Sequence, residues 1–344
     1  MGRRRRARGC TPALLPRFAR AQRQPPVLFY EEDRELLLVS RRRAELAPAL
    51  RFVIPDAELV EDLVDKARFQ ALALRTDLPV PPALRFGARE GAPAAVPLRF
   101  PIVVKPLTRR TDQWEPVGGG AKALIVESHA ALRALWPRLA GFAGDLLAQE
   151  LIPGGEDRIE SYHVYVDAAG AVAGEFTGRK LRTHPVRYGH STALVTTDAP
   201  DVAALGRELV ARLGLRGVAK FDFKRGPDGR LYLLEINPRF NLWHHLGSAA
   251  GVNLPALVYA DLAGLPRGPV PRARAGVRWC KAWRDAAAAR EMRVPLHSWL
   301  AWALGAEAKR LVAWDDPLPL LLGGLLHWVP TRPGRAIATA ERPS

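Results

Sequence analysis

An α+β fold built on antiparallel hairpins is what this 344-residue sequence predicts. Two strand-like runs, 159–167 and 171–177, flank Asp167-Ala168-Ala169-Gly170, and two more, Gly217–Lys224 and Leu231–Asn237, flank Gly226-Pro227-Asp228-Gly229. Between such pairs lie segments with apolar residues at helical spacing. No internal repeat and no regular βαβ alternation is present, and the length suffices for two or three packed subdomains.

Taken in order, residues 1–24 read as a disordered basic arm. Pro25–Tyr30 and Arg51–Pro55 read as short buried strands, with Glu31–Leu50 between them carrying leucines at helical spacing. Asp56–Thr76 predicts one amphipathic helix or two. Leu78-Pro79-Val80-Pro81-Pro82 is a stiff connector. Leu98–Pro106 reads as a strand, 107–120 as a polar, glycine-rich loop, Ala123–Val126 as a strand and Ser128–Leu139 as a helix with Ser128 as its N-cap. Asp145–Ile152 is a strand stopped by Pro153-Gly154-Gly155, and Asp198–Leu213 a helix. Beyond Pro266 come Trp- and Ala-rich helical segments. The expected organisation is a basic arm (1–24), a partial leading segment with its linking helix (25–85), a two-lobed central domain (86–265, lobes about 98–152 and 153–265) and a helical C-terminal extension (266–344).

The net charge of +16 raises the question of nucleic-acid binding. Half of that excess sits in residues 1–24, which hold eight arginines and no acid. Arginine outnumbers lysine 43 to 8 across the chain, a bias of composition rather than a dedicated basic face. No nucleic-acid-binding motif accompanies the charge, so no nucleic-acid partner is expected. The longest apolar stretch, Leu318–Val329, is broken by Pro319 and Gly323-Gly324 and falls short of the ~20 residues of a membrane helix. Cys10 and Cys280 form no framework or metal spacing, and a cytoplasmic setting is expected.

Chemistry concentrates in the last hairpin. A two-residue turn at Asp228-Gly229 places Asp222 opposite Glu235 and Lys220 opposite Asn237. Side chains alternate with period 2, so all four share one face, whereas a three-residue turn would break the arrangement. Two carboxylates held close repel unless a cation lies between them. With the Asn237 amide oxygen they form a hard-oxygen set suited to Mg2+ (or Mn2+) that also binds phosphates. Phe221, Phe223, Leu234 and Ile236 make the opposite face apolar. A surface hairpin with cross-strand salt bridges is the plain alternative.

Glu235-Ile236-Asn237-Pro238-Arg239 resembles the E-x-N-x-R signature that closes the ATP-grasp active site, with Asp222 at the spacing of the first metal carboxylate. The likeness extends over about residues 25–265. Within the superfamily it is nearest to bacterial carboxylate–amine ligases of the D-aspartate-ligase and carbamoyl-phosphate-synthetase-like kind. It implies two α+β lobes clasping ATP, ATP and Mg2+ as cofactors, and small-molecule carboxylate and amine substrates, with a homodimer an allowed assembly. By resemblance, Lys66 and Lys105 are the two ATP-contacting lysines. Gln149, Glu150 and Ile152 belong to the hinge that holds adenine, and Glu156 takes the place of a ribose-binding carboxylate. Asp222, Glu235 and Asn237 hold metal. Lys180 and Lys220 contact transferred phosphate, and Arg239 holds phosphate or a substrate carboxylate. Gly118-Gly119-Gly120 reads as a lid over the phosphates, with Lys122 adding charge, or as a plain flexible turn.

One departure is visible: only the last portion of the pre-grasp α/β domain is matched, by Pro25–Asp65. The shortened start leaves open a non-catalytic ATP-binding module, whereas the intact Asp222/Glu235/Asn237 set favours an enzyme that activates a carboxylate as an acylphosphate and joins it to an amine.

Overall fold

The computed structural model describes residues 14–87, 96–107, 111–119, 123–186 and 189–309. The chain enters through α1 (Leu14–Arg20), α2 (Asp33–Arg41) and α3 (Arg43–Leu46). The two strands expected around α2 and α3 shrink to a single parallel bridge, Val27 with Arg51. A lone parallel pair has no neighbours to satisfy its outer edges, so the remaining polar groups find other partners. The Tyr30 hydroxyl, for example, donates to the Val53 carbonyl at 2.7 Å. Of the one or two helices expected over 56–76 there are two, α4 (Ala57–Val64) and α5 (Lys66–Arg75). Asp56 caps the first helix, and Asp65 caps the second by accepting from the Ala67 and Arg68 amides at 2.9 and 3.0 Å. That break makes Lys66 the first residue of α5.

A smaller lobe follows: β1 (Ala83–Gly87), β2 (Ile102–Pro106), α6 (Thr111–Gly118), β3 (Leu124–Val126), α7 (His129–Leu139) and β4 (Asp145–Glu150). Its four strands lie antiparallel in the order β1-β4-β2-β3. The lobe thus begins at Ala83, before the expected boundary near 98. The 107–120 segment is also more ordered than a loop, because α6 occupies most of its described part. Gly118 and Gly119 end that helix. A side chain at Gly118 would collide with the Trp114 indole, and Gly119 has φ +59°, the left-handed conformation of a helix stop. Gly120 and Lys122 lie outside the described residues.

The larger lobe holds β5 (Ile159–Val166), β6 (Val172–His184), β7 (His190–Thr197), α8 (Pro200–Arg212), β8 (Gly217–Arg225), β9 (Leu231–Asn237), α9 (Trp243–Ala249) and α10 (Leu254–Ala263). The C-terminal extension adds β10 (Arg278–Cys280), α11 (Ala282–Glu291), α12 (Leu296–Leu304) and β11 (Ala308–Lys309). These make a seven-stranded sheet ordered β11-β10-β7-β6-β5-β8-β9. The expectation of a purely helical extension is therefore corrected: β10 pairs antiparallel with β7, and β11 pairs parallel with β10. β7 was itself missed, because His190 reads as part of a loop and Thr-rich strands carry little apolar signal.

One face of this sheet presents Tyr165, Phe176, Leu194 and Val218 to α2, α9 and α10. The other presents Tyr162, Val164, Phe221, Phe223, Leu233 and Ile236 to α5 and α8. A third cluster fills the smaller lobe around Ile102, Trp136 and Leu146. Phe221 is fully buried directly behind the polar face of the hairpin. Phe221→Ala is expected to lower stability by about 3–5 kcal/mol through the cavity it leaves, read as a fall in the urea midpoint; an unchanged midpoint would contradict this packing.

Candidate active site

The β8–β9 hairpin arrives at the expected pairing by an unexpected route. Lys220 lies opposite Asn237 and Asp222 opposite Glu235, as the two-residue turn required. The turn nevertheless has three residues, Pro227, Asp228 and Gly229, closed by Gly226 N–H to Arg230 O at 2.8 Å and by Gly229 N–H to Gly226 O at 3.0 Å. Gly229 takes φ +81°, which a side chain would strain. The odd turn would face Leu234 toward Asp222 and turn Glu235 into the core beside Phe221. A β-bulge between Asp222 and Phe223 leaves Leu234 unpaired and restores the register. Gly229 and Leu234 are thus compensating irregularities, and together they keep both carboxylates on one face.

Asp222 is 1% exposed. Ser161 on β5 donates to its Oδ1. Its Oδ2 stands 2.5 Å from Lys220 Nζ and 3.8 Å from Lys180 Nζ. Oδ2 is thus paired with two ammonium groups. Burial alone would raise the Asp222 pKa, but the two ammonium groups and the Ser161 hydroxyl outweigh it and hold the carboxyl well below the usual range. Lys180 is pulled down by burial and pushed up by Asp222, Glu235 and Glu156, with a net rise. Three strands thus each send one group to Asp222: Ser161 from β5, Lys180 from β6 and Lys220 from its own strand β8. Glu235, across from it, is exposed, and Asn237 is partly so. Two carboxylates, Asp222 and Glu235, with the Asn237 amide oxygen make a hard-oxygen donor set of the kind that fits a divalent cation.

The smaller lobe faces this hairpin across a cleft of about 90 Å3 lined by Lys66, Lys105, Asp33, Glu235 and Asn237, among others. Lys105 Nζ donates to Gln149 Oε1 at 3.0 Å, and Lys66 Nζ to the Pro106 carbonyl at 3.1 Å. Burial, reinforced by the neighbouring charge of Lys66 and opposed by Glu235, brings the Lys105 pKa down to about 8. Gln149 and Glu150 close β4, the strand between β1 and β2. The Glu150 carboxylate is held by the Arg99 amide at 2.9 Å and by the Arg99 guanidinium. The amides of Glu150 and Leu151 donate to Pro82 and Pro101 at 2.9 and 3.0 Å. Any base held at this hinge must therefore use carbonyls or donors further along, toward the buried Ile152. Glu156 opens a one-turn 3-10 helix just beyond.

Arg239 differs most from expectation. Rather than standing ready for a substrate anion, its Nε donates to Asp33 Oδ1 at 2.6 Å and its Nη1 to the Glu31 carbonyl at 2.9 Å. It ties the end of β9 to the first turn of α2, 206 residues earlier. Asp33 and Ser161 were not singled out in the sequence. Ser161 carried a usable signal, a polar residue in the buried strand 159–166, and its neighbour His163 on the same face repeats it. Asp33 carried none, because acids crowd the N-terminus of an ordinary capped helix.

Comparisons with known proteins agree with this geometry. Residues 159–282 match the model of a family described as ATP-grasp in the biosynthetic pathway with Ter operon. The chain is similar to the D-aspartate ligase of Enterococcus faecium, at 26% identity over 65% of this chain and 55% of that one. It is also similar to the D-alanine–D-alanine ligase of Aromatoleum aromaticum, at 28% identity over 58% of this chain and 65% of that one. It thus spans about half to two thirds of the length of these relatives. Among solved structures, an ADP complex of N5-carboxyaminoimidazole ribonucleotide synthetase superposes with TM-score 0.59 at 15% identity, over 78% of this chain and 67% of that one. An ATP-analogue complex of biotin carboxylase from Campylobacter jejuni gives TM-score 0.59 at 16% identity, over 78% and 61% of the two chains. Two α+β lobes meeting at a hairpin of paired carboxylates, together with these likenesses, give this chain the ATP-grasp fold, with the family match lying in residues 159–282.

Proposed function

We propose that the chain is an ATP- and Mg2+-dependent ligase that activates a substrate carboxylate as an acylphosphate and joins it to an amine. The observation that carries this reading is the pairing of Asp222 with Glu235 and of Lys220 with Asn237 in a hairpin whose Glu235 and Asn237 line a cleft together with Lys66 and Lys105. Asp222, Glu235 and Asn237 would hold the Mg2+, which when bound would supply charge neutralisation for the phosphates.

The protein's own groups account for the rest. Lys105 from the smaller lobe and Lys66 from the start of α5 face the phosphates, and Gln149 fixes the Lys105 ammonium. Lys180 and Lys220 supply positive charge where the γ-phosphoryl group passes to the carboxylate oxygen, breaking the bond to ADP and forming the mixed anhydride. The amine then attacks the acyl carbon, an amide forms, and phosphate leaves with the anhydride oxygen. No protein nucleophile is required. Gln149, Glu150 and Ile152 would line the adenine end, Glu156 the ribose, and Gly118 and Gly119 the phosphate cover. Arg239 acts through Asp33 in this reading, holding the α2 end against the substrate side of the cleft. D-Aspartate and D-alanine ligases among the relatives support an amino acid as one substrate.

Two measurements test this reading. Glu235→Ala is expected to reduce phosphate release with amino-acid acceptors on the order of 100-fold, through loss of a metal ligand at a transferring phosphoryl group. Wild-type turnover would remove the metal assignment, and ATP binding without turnover across a broad acid and amine panel would favour the non-catalytic module. The second concerns pH. Lys105 is charged below its pKa of about 8 and neutral above it. Affinity for MgATP should therefore fall as pH rises from 7 to 9.5, whereas Lys105→Arg, charged throughout that range, should remain flat. Parallel wild-type and variant profiles would contradict a phosphate contact by Lys105.

A further inference from the structure

The β6–β7 ladder is irregular at two places, and both converge on one carboxylate. Lys180 pairs with Leu194, but the next matched residues are Arg182 with Ala193 and then Thr183 with Ser191. Leu181 on β6 and Thr192 on β7 are left out of register. Arg182, between the two breaks, donates through Nε to Asp285 Oδ1 at 2.9 Å and through Nη2 to Asp285 Oδ2 at 2.7 Å. Thr192 donates to the same Oδ1 at 2.9 Å.

Asp285 lies on α11 in the C-terminal extension and is 0% exposed. Its Oδ2 also accepts from Trp299 Nε1 on α12 at 3.0 Å, and the Arg182 guanidinium lies 4.4 Å over the Trp302 ring. A charged pair this deeply buried tolerates little displacement, because losing either partner leaves an unpaired charge without water. β-Bulges re-aim the side chains beside them. The residue immediately before the first break is Lys180, whose Nζ stands 3.8 Å from Asp222.

We propose that Asp285 is a positioning residue: with Arg182 and Thr192 it fixes the paired irregularities of β6 and β7, and so holds Lys180 where the transferred phosphate is contacted. The C-terminal extension is then part of the phosphate site, though none of its described residues lies beside Asp222. This inference rests on the reading of Lys180 given under Proposed function.

The test uses the full chain and calorimetric affinities for MgATP and MgADP. Lys180→Ala and Asp285→Asn are each expected to weaken MgATP about tenfold while leaving MgADP within about twofold, since only ATP presents the γ-phosphate. Combining them should add no further loss, because both act through one ammonium group. A merely structural role predicts that Asp285→Asn weakens both nucleotides alike, or that its effect adds to that of Lys180→Ala; either result overturns the proposal. Should Asp285→Asn fail to fold, Thr192→Val removes one strand contact, keeps the buried ion pair, and must show the same selective loss of MgATP. If Lys180→Ala discriminates between the nucleotides and the Asp285 and Thr192 variants do not, positioning alone fails. If Lys180→Ala binds MgATP as wild type does, the phosphate assignment of Lys180 fails and the inference falls with it.

Discussion

A carboxylate taken out of water is the constraint on which the larger lobe is organised. Asp222 is almost wholly buried, and an isolated buried charge is too costly to survive. It remains ionised because Lys220, Lys180 and Ser161 all reach it, and they come from three adjacent strands. A one-residue slip in any of these strands would turn a needed partner to the opposite face. The register of β5, β6 and β8 is thus fixed by charge on one side and by the Phe221–Phe223–Leu233 core on the other. The two requirements agree because polar and apolar residues alternate along the same strands.

The same electrostatics explains two imidazoles deeper in that face. His163 sits opposite Lys220 in the β5–β8 ladder, stacked on Phe176 at 4.4 Å and tilted against Trp243 at 4.9 Å. Burial first, then the nearby His244 and Lys220, hold it well below the ordinary histidine range. Burial brings His244 down to about 3. Both therefore stay neutral and pack as aromatic rings. A third positive charge behind Lys180 and Lys220 would compete for the Asp222 carboxylate. Their neutrality keeps Asp222 committed to its two ammonium partners.

Much of the site was legible in the sequence because hairpins are local. The alternation in Lys220-Phe221-Asp222-Phe223 and in Glu235-Ile236-Asn237 placed four polar groups on one face before any fold was known. The outcome was right but the route differed: a three-residue turn and the Leu234 bulge cancel, and a bulge has no reliable mark in a single sequence. Contacts between residues far apart in the chain were not legible. The bond between Arg239 and Asp33 spans 206 residues and the Arg182–Asp285 pair 103. Either arginine alone reads as a surface charge or a ligand group. β7 was hidden for a related reason, since its strand character comes from being enclosed by β6 and β10 rather than from its own apolar pattern.

The balance of charge around the cleft says what the arrangement lacks by itself. Lys105 stands on the smaller lobe, Lys66 at the start of α5, and Lys180 and Lys220 on the larger lobe. Asp222 is already shared by the latter two, and Lys105 receives only a neutral amide from Gln149. The depressed pKa of Lys105 is the physical record of that deficit: burial and the Lys66 charge outweigh the pull of Glu235. A polyanion entering between the lobes would relieve the repulsion between Lys66 and Lys105 and restore the charge on Lys105. It would also bring negative charge against the exposed Glu235, which is tolerable only with a cation between them. In the function proposed above, polyphosphate and divalent metal are therefore coupled: the lysines around the cleft would favour the first, and the carboxylates of the hairpin would admit it together with the second.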